Sequence, residues 1–367
     1  MINLNRLKAW YRLLDQKSIG NKIAHRLIDD LGDPLYYIGV QNDLWDKIDY
    51  VPDDIKLSLQ TDIDPPNWKK IVPFVERSPY FKFFCILDEE YPDNLKEVYL
   101  PPLFFTAIGD EALLKSDEIV SIVGTRKPTH YGKMMTERIV ASLINFNFII
   151  CSGLAFGIDS VSHKKTLDLN GKTIAVTANG LDSVYPPQNR ELANNIAKTG
   201  LIISETMPFT KLEKYHFPQR NRIIAGLAKA VCVIEGKIHS GAMITGNFAA
   251  DQGKEVYALP GDITKPEAEG PNNLIKRGAN IIITPDSIIQ DLIVEYKAAP
   301  KKAQIILTDE ESKIYEIIKN YSQGIHIDQI IAETGQNLGE ISAILFMLEL
   351  KNAIKATDNG KYQVTYL

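Results

Sequence analysis

Between residues 119 and 259 short apolar runs alternate with helical patterns. The runs are Ile119–Gly124, Phe148–Ser152, Thr173–Thr177, Leu201–Ser204, Ala230–Glu235 and Glu255–Leu259. Helical spacing lies between them, near Gly132–Phe146, Gly157–Asn170, Asn189–Thr199, Arg220–Ala228 and Ala242–Gln252. Parallel strands cannot be joined by tight turns, so this alternation dictates a parallel, doubly wound α/β sheet with helices on its faces. In such a sheet the carboxyl ends of all strands open on one edge, where a ligand crevice forms.

Four turns converge on that edge: Ser121–Arg126, Cys151–Asp159, Phe217–Arg222 and Glu235–Gly241. Helix N-termini leave N–H groups unpaired and partly positive, which suits phosphate oxygens. Arg126, Arg220 and Arg222 add guanidinium forks, and Phe217 beside them suits base stacking as well as a core position. Arginines two apart cannot share a helix face, so one of Arg220 and Arg222 is expected to face the crevice while the other braces a loop. Asp159 and His163 fall at i and i+4, and a hydrogen bond between them is expected to order the helix start. There is no G-x-G-x-x-G fingerprint, P-loop, nucleophile elbow or H-E-x-x-H, and no histidine or cysteine spacing suited to a metal.

A net charge of −5 argues against a nucleic-acid binder until its distribution is considered. Residues 1–118 carry 14 Lys/Arg against 21 Asp/Glu, residues 119–300 carry 20 against 16, and residues 308–367 carry 5 against 9. Phosphate binding is therefore expected only in the middle. At 367 residues the chain exceeds one ordinary domain. Asn3, Asn5 and Arg6 interrupt any leader pattern, and no apolar run suffices to span a bilayer. Cys85, Cys151 and Cys232 read as buried free thiols of a cytoplasmic protein.

Residues 1–78 read as a small helical domain of helix-hairpin-helix or SAM-like type. Leu7, Trp10, Leu13 and Leu14 mark one helix, and Ser18–Asn21 a tight turn into a second. Structural hairpins of this kind outnumber DNA-contacting ones, and Asp29, Asp30 and Asp33 stand close by. Phe81–Leu87 and Leu103–Ile108 are expected to add strands to the sheet. Residues 298–307 form a linker by composition. Beyond it, helices at Glu310–Tyr321, His326–Thr334 and Leu338–Lys351 and a hairpin of Ala353–Ala356 with Tyr362–Tyr366 describe a winged helix. Phe346 and Met347 either complete its core or stay exposed for a partner.

Taken in order, the blocks SIVGTRKPTHYG (121–132), SGLAFGIDSVSH (152–163), FPQRNRIIAGLAKAVCVIE (217–235) and SGAMITGNFAADQGKEVYALPG (240–261) resemble the DprA/Smf family. These are bacterial DNA-processing proteins of natural transformation, and the resemblance covers about residues 80–297. It implies an extended Rossmann domain that binds single-stranded DNA, displaces single-strand-binding protein and loads the RecA recombinase, as a homodimer and without enzymatic activity, cofactor or metal. The DNA-binding set it implies is Gly124, Thr125, Arg126, Ser152, Gly153, Lys164, Phe217, Arg220, Asn221, Arg222, Ser240 and Gly241. Loss of Arg126 or Arg222 is expected to weaken DNA binding without unfolding the chain. Phe156 stands where the family commonly has arginine, which removes a cation or replaces it by stacking. The recognition helix Leu338–Lys351 carries Glu340 and Glu349 against Lys351, so the tail reads as a protein-contact module. The enzymatic alternative is a nucleotide N-glycoside hydrolase. Such proteins use a P-G-G-x-G-T-x-x-E turn, and Ser240–Thr245 lacks its double glycine and glutamate.

Overall fold

The structure, a computed structural model, describes residues 2–16, 18–293, 307–321, 324–351, 353–357 and 360–364. It divides into two compact units, residues 1–294 and 295–367.

The first unit opens with four helices, α1 (Leu4–Asp15), α2 (Asn21–Leu31), α3 (Asp53–Gln60) and α4 (Trp68–Arg77). Asn3 caps α1 by accepting from the Arg6 N–H, and Leu7, Trp10 and Leu13 fall on its buried face. Their core does not close on itself. It continues onto Phe81, Cys85, Leu103, Phe104 and Met207, so the helical region packs on one end of the sheet. Arg6 reinforces the junction, pairing with Asp33 at 2.6 Å and Asp88 at 2.7 Å.

The sheet has nine strands. β1 (Phe81–Cys85) leads through α5 (Asp93–Lys96) to β2 (Phe104–Gly109). The alternating series follows: β3 (Ile119–Val123), α6 (His130–Asn145), β4 (Ile149–Ser152), α7 (Ile158–Asp168), β5 (Thr173–Thr177), α8 (Arg190–Thr199) and β6 (Leu201–Ser204). It continues with α9 (His216–Leu227), β7 (Ala230–Val233), α10 (Gly241–Asp251), β8 (Glu255–Ala258), α11 (Glu269–Lys276), β9 (Asn280–Ile281) and α12 (Ser287–Leu292). The strand order is β1-β2-β6-β5-β4-β3-β7-β8-β9. From β6 to β9 all pairings are parallel, while β2 joins β6 and β1 joins β2 antiparallel. Strands β3 to β7 are buried along their whole length, as strands covered by helices on both faces require. The fold is thus an extended Rossmann-like sheet. Its order reverses between β3 and β7, which makes that the topological switch point.

Helix α9 begins at His216, four residues earlier than the spacing suggests, so Phe217 and Pro218 lie within its first turn. Proline is tolerated there because its missing N–H would have had no partner. All three cysteines are buried and free.

The second unit holds α13 (Asp309–Lys319), β10 (Ile325–His326), α14 (Ile327–Thr334), α15 (Leu338–Leu350), β11 (Ile354–Ala356) and β12 (Lys361–Val364). The strands pair antiparallel in the order β10-β12-β11, which with the three helices is a winged helix. Capping boxes at Thr308/Glu311 and Asn337/Glu340 start α13 and α15. The core gathers Ile314, Ile318, Ile330, Ile341, Leu345 and Leu348. Phe346 and Met347 are outside it, 60% and 44% exposed, so they do not complete the core. The linker at 298–306 and Tyr366 of the expected hairpin lie outside the described residues.

One ion pair inside the first unit is structural. Arg222 Nη2 donates to Glu205 Oε1, with the arginine buried and the glutamate half-buried. Burial raises the Glu205 pKa and Arg222 opposes the rise. Removing one partner strands the other, so Arg222→Ala is expected to destabilise the chain by about 3 kcal/mol. Urea denaturation against the parent protein measures it.

Candidate functional site

Beyond the carboxyl ends of β4 and β5 the chain forms a pocket, and the loop between β4 and α7 builds its floor. In that loop Leu154 and Gly157 take positive φ, at 55° and 81°. Asp159, at the start of α7, folds the loop by accepting from the Gly153 N–H at 3.2 Å and the Ala155 N–H at 3.3 Å. Asn189 closes it from the other side, donating to Leu154 O at 2.8 Å and Ser160 Oγ at 2.9 Å. Gly157 has no alternative, since a Cβ there would lie 2.2 Å from Thr125 O.

Arg220 reaches into this floor from α9. It is 7% exposed, and its Nη1 donates to Gly153 O and, at 2.6 Å, to Val176 O. A Cβ on Gly153 would meet Nη1 at 1.9 Å, so glycine is what admits the guanidinium. Burial pushes the Arg220 pKa down and the nearby Asp159 carboxylate opposes this; burial likewise raises Asp159, and Arg220 opposes that. The Arg220 Nε is buried and has no hydrogen-bond partner among the described residues.

The walls are aromatic and cationic. Arg126, exposed at the end of the β3 turn, stands with its guanidinium carbon 5.5 Å from the Phe217 ring centre. Tyr185 meets Phe217 edge-on at 5.7 Å. Phe156, at 41% exposure, and Tyr185, at 44%, offer large apolar surfaces to solvent beside Asn179 and Pro186. The arrangement is a cation over an aromatic platform, with a second, buried cation below. It suits phosphates flanked by flat, unstacked bases.

The twelve residues of the expected DNA-binding set do not all meet here. The pocket brings together Arg126, Gly153, Phe217 and Arg220. Gly124 and Thr125 lie in the turn behind Arg126: Gly124 gives Ile158 its space, and Thr125 O accepts from the Ile158 N–H at 3.2 Å. Ser152 is fully buried, its hydroxyl donating to Ile122 O at 2.6 Å. Asn221 ties α9 to α10, donating to Gly241 O at 3.2 Å, while Ser240 and Gly241 stand at the start of α10. Arg222 is turned away to Glu205. Lys164 is exposed on α7, facing the groove toward α8 with Lys172 and Lys198. Helical geometry explains part of the split: Phe217 and Arg220 are i, i+3 neighbours on one face of α9, and Arg222, two residues beyond Arg220, points elsewhere. Asn221, at i+4 from Phe217, is instead taken up by the Gly241 carbonyl.

The expected Asp159–His163 hydrogen bond is not made. Asp159 serves the loop, and His163 Nδ1 bonds Thr173 Oγ1 at 2.7 Å. Burial, and then Arg220, push the His163 pKa down to about 3, so it is a neutral core residue. No metal-binding cluster occurs among the described residues. Sequence reasoning did not single out Tyr185 or Asn179; the cue was the exposed aromatic in a proline-rich loop between β5 and α8.

Comparison with known proteins agrees with this architecture. The family model for DNA recombination-mediator protein A matches residues 82–293, and that for the DprA winged helix domain matches residues 298–360. The chain is 43% identical over 207 residues to DNA processing protein DprA of Bacillus subtilis, covering 56% of this chain and 70% of that protein. Among solved structures it resembles DNA processing protein A of Streptococcus pneumoniae, with a TM-score of 0.65 and 31% identity over 81% of this chain and 97% of the other. It also resembles DNA processing protein A of Helicobacter pylori, described for its single-stranded DNA binding mode. There the TM-score is 0.53 and identity 30%, over 59% of this chain and 97% of that one.

Proposed function

Because the chain belongs to the DNA recombination-mediator protein A family, we propose that its pocket holds single-stranded DNA during DNA processing and natural transformation. The observation that carries the reading is Arg126 over the Phe217 ring, with Tyr185 edge-on to it and Arg220 below. Backbone phosphates would meet the guanidinium of Arg126, and unpaired bases would stack on Tyr185, Phe156 and Phe217. Neither contact reads base identity, so binding is sequence-independent. The protein then passes the strand to the recombinase RecA in the cytoplasm. No helix among the described residues is long and apolar enough to cross a membrane.

Against N-glycoside hydrolysis stands the composition of the pocket, whose lining includes no carboxylate. Glu235, at the end of β7, is committed to Thr129, accepting from its N–H at 2.9 Å. The reading is that of a binding protein, not an enzyme.

A homodimer fits the β9 edge of the sheet, which no other strand among the described residues covers. Ile281 on the terminal strand β9 is 43% exposed and Ile283 just beyond it 75%. An edge of this kind is a template for a second copy. Ile283→Lys is expected to convert dimer to monomer in sedimentation velocity; an unchanged mass would remove this edge from the interface.

Two substitutions separate the phosphate and base contributions. Arg126→Ala should weaken binding to labelled oligo-dT by about 10- to 100-fold, a charge-assisted contact being worth about 1.5–3 kcal/mol. It should also flatten the salt dependence by about one unit of slope. Phe217→Ala should cost about 1–3 kcal/mol of affinity and leave the slope unchanged. Fluorescence anisotropy across salt measures both, and full affinity in both variants would refute the pocket.

Truncation after residue 302 should change strand affinity by less than about tenfold, or about 1.4 kcal/mol. The exposed side of α15 carries Ala343, Phe346, Met347 and Leu350 and offers no cation to a phosphate. Anisotropy of the truncated and full chains at equal salt is the measurement.

A further inference from the structure

The two loops that hold the aromatic wall are gripped from outside the sheet. Tyr185 sits on the loop after β5, and Phe217 follows the loop after β6. Near their strands the loops are laced together: Ser204 Oγ donates to Asn179 O at 2.8 Å and Thr206 Oγ1 to Ala178 O at 2.9 Å. A Cβ on Gly180 would fall 2.5 Å from Met207 O, so contact there is close enough to exclude any side chain. Farther out, Asp182 Oδ1 accepts from the Phe209 N–H at 2.7 Å, only three residues before Tyr185.

Phe209 is itself held by the N-terminal helices. Its φ is 64°, an unfavourable backbone region for a phenylalanine, which persists only where surroundings enforce it. The Phe74 ring of α4 packs on the Phe209 ring at 5.8 Å, nearly perpendicular. Asn67, at the N-cap of α4, donates from Nδ2 to Phe209 O at 3.1 Å. Met207 and Leu181, one from each loop, join the core of the helical region. Phe209 is thus fixed through ring, carbonyl and N–H at once, the first two by the N-terminal helices and the third by the Tyr185 loop.

We propose that the N-terminal helical region is a positioning element for the strand-binding pocket, with Asn67, Phe74, Phe209 and Asp182 as the clamp that sets Tyr185 against Phe217. None of the four lines the pocket, so they act through the aromatic wall. A partner that displaced α4 would loosen the wall and release the strand, which gives the helical region a means of control without touching DNA. The proposal rests on the reading of the pocket as the DNA site.

The test measures oligo-dT anisotropy for Phe209→Gly, which keeps the backbone conformation accessible while removing the ring. Asn67→Gly does the same for the donor side chain. Each should weaken binding about five- to tenfold, at most about 1.4 kcal/mol, with the salt slope of the parent because no phosphate contact is lost. Asp182→Ala should behave likewise, whereas Asp182→Asn retains an acceptor oxygen and should keep most of the affinity. In the Phe217→Ala background Phe209→Gly should add little, because the wall it sets is already gone. Melting temperatures identify any variant that unfolds, and the Asp182 pair decides the matter if Phe209→Gly does. Affinities within twofold of the parent, or full additivity with Phe217→Ala, would overturn the clamp while leaving the pocket standing. Normal binding by Phe217→Ala and Tyr185→Ala would instead overturn the pocket, and the clamp with it.

Discussion

The pocket depends on one buried cation. Arg220 enters the carboxyl edge of the sheet, where two carbonyls and the field of Asp159 offset the cost of leaving water. In return it pins α9 to the ends of β4 and β5 at once, since Gly153 follows β4 and Val176 lies in β5. Everything around it is arranged for that entry. Gly153 has no side chain because the guanidinium occupies its place, and Asp159 folds the loop while supplying the countercharge. Phe217, three residues earlier on the same helix face, is then carried to the rim, where it meets Tyr185 and Arg126.

The position of the pocket follows from what fills the switch point. In an open sheet of this topology a ligand phosphate would sit where the order reverses, against the N-terminus of the helix after β3. Here Glu235 comes from the end of β7 and takes that place. Its carboxylate accepts from the N–H and hydroxyl of Thr129, and Thr129 in turn caps α6 through the Gly132 N–H at 3.1 Å. A Cβ on Gly132 would lie 2.4 Å from Glu235 Oε2. An internal anion therefore occupies the site a dinucleotide would use, consistent with a sheet of dinucleotide-binding type that lacks the glycine fingerprint. The available cations are displaced toward β4 and β5.

Most of the sheet was legible in the sequence because its signal is redundant: apolar runs, glycine turns and helical spacing agree. Strands β1 to β8 match the expected ones to within a residue or two, whereas the two-residue β9 was too short to leave a pattern and was not expected. β1 and β2 were legible too as strands added to the sheet, from proline-interrupted extended segments, while their antiparallel pairing at its edge came only from the structure. The site was only partly so. A motif such as Phe217–Arg222 shows which residues are near the edge, but the helix phase decides which of them face it, and that phase depended on α9 starting at His216. Ser152 and Asn221 look like ligand groups in sequence, yet a hydroxyl at a strand end or an amide on a helix is equally able to satisfy a neighbouring carbonyl, and here each does. The contacts of Phe209 lay beyond reach, since they depend on loops brought together from distant parts of the chain.

The same reasoning separates the two units. In α15 the core face is taken by Ile341, Leu345 and Leu348, spaced by four and three residues. Ala343, Phe346, Met347 and Leu350 fall on the opposite side by the same 3.6-residue period, so no rotation of the helix could bury both sets. A small domain gains nothing for its own stability from leaving Phe346 in water. Nor does the surface suit a phosphate backbone, because the charged residues near it, Glu340 and Glu349, are acidic and Lys351 is engaged with Glu311 at 2.6 Å. An apolar face with an acidic margin suits a protein surface better than a polyanion. The charge division along the chain runs the same way: the middle of the sequence carries the excess of cations, and the winged helix an excess of carboxylates.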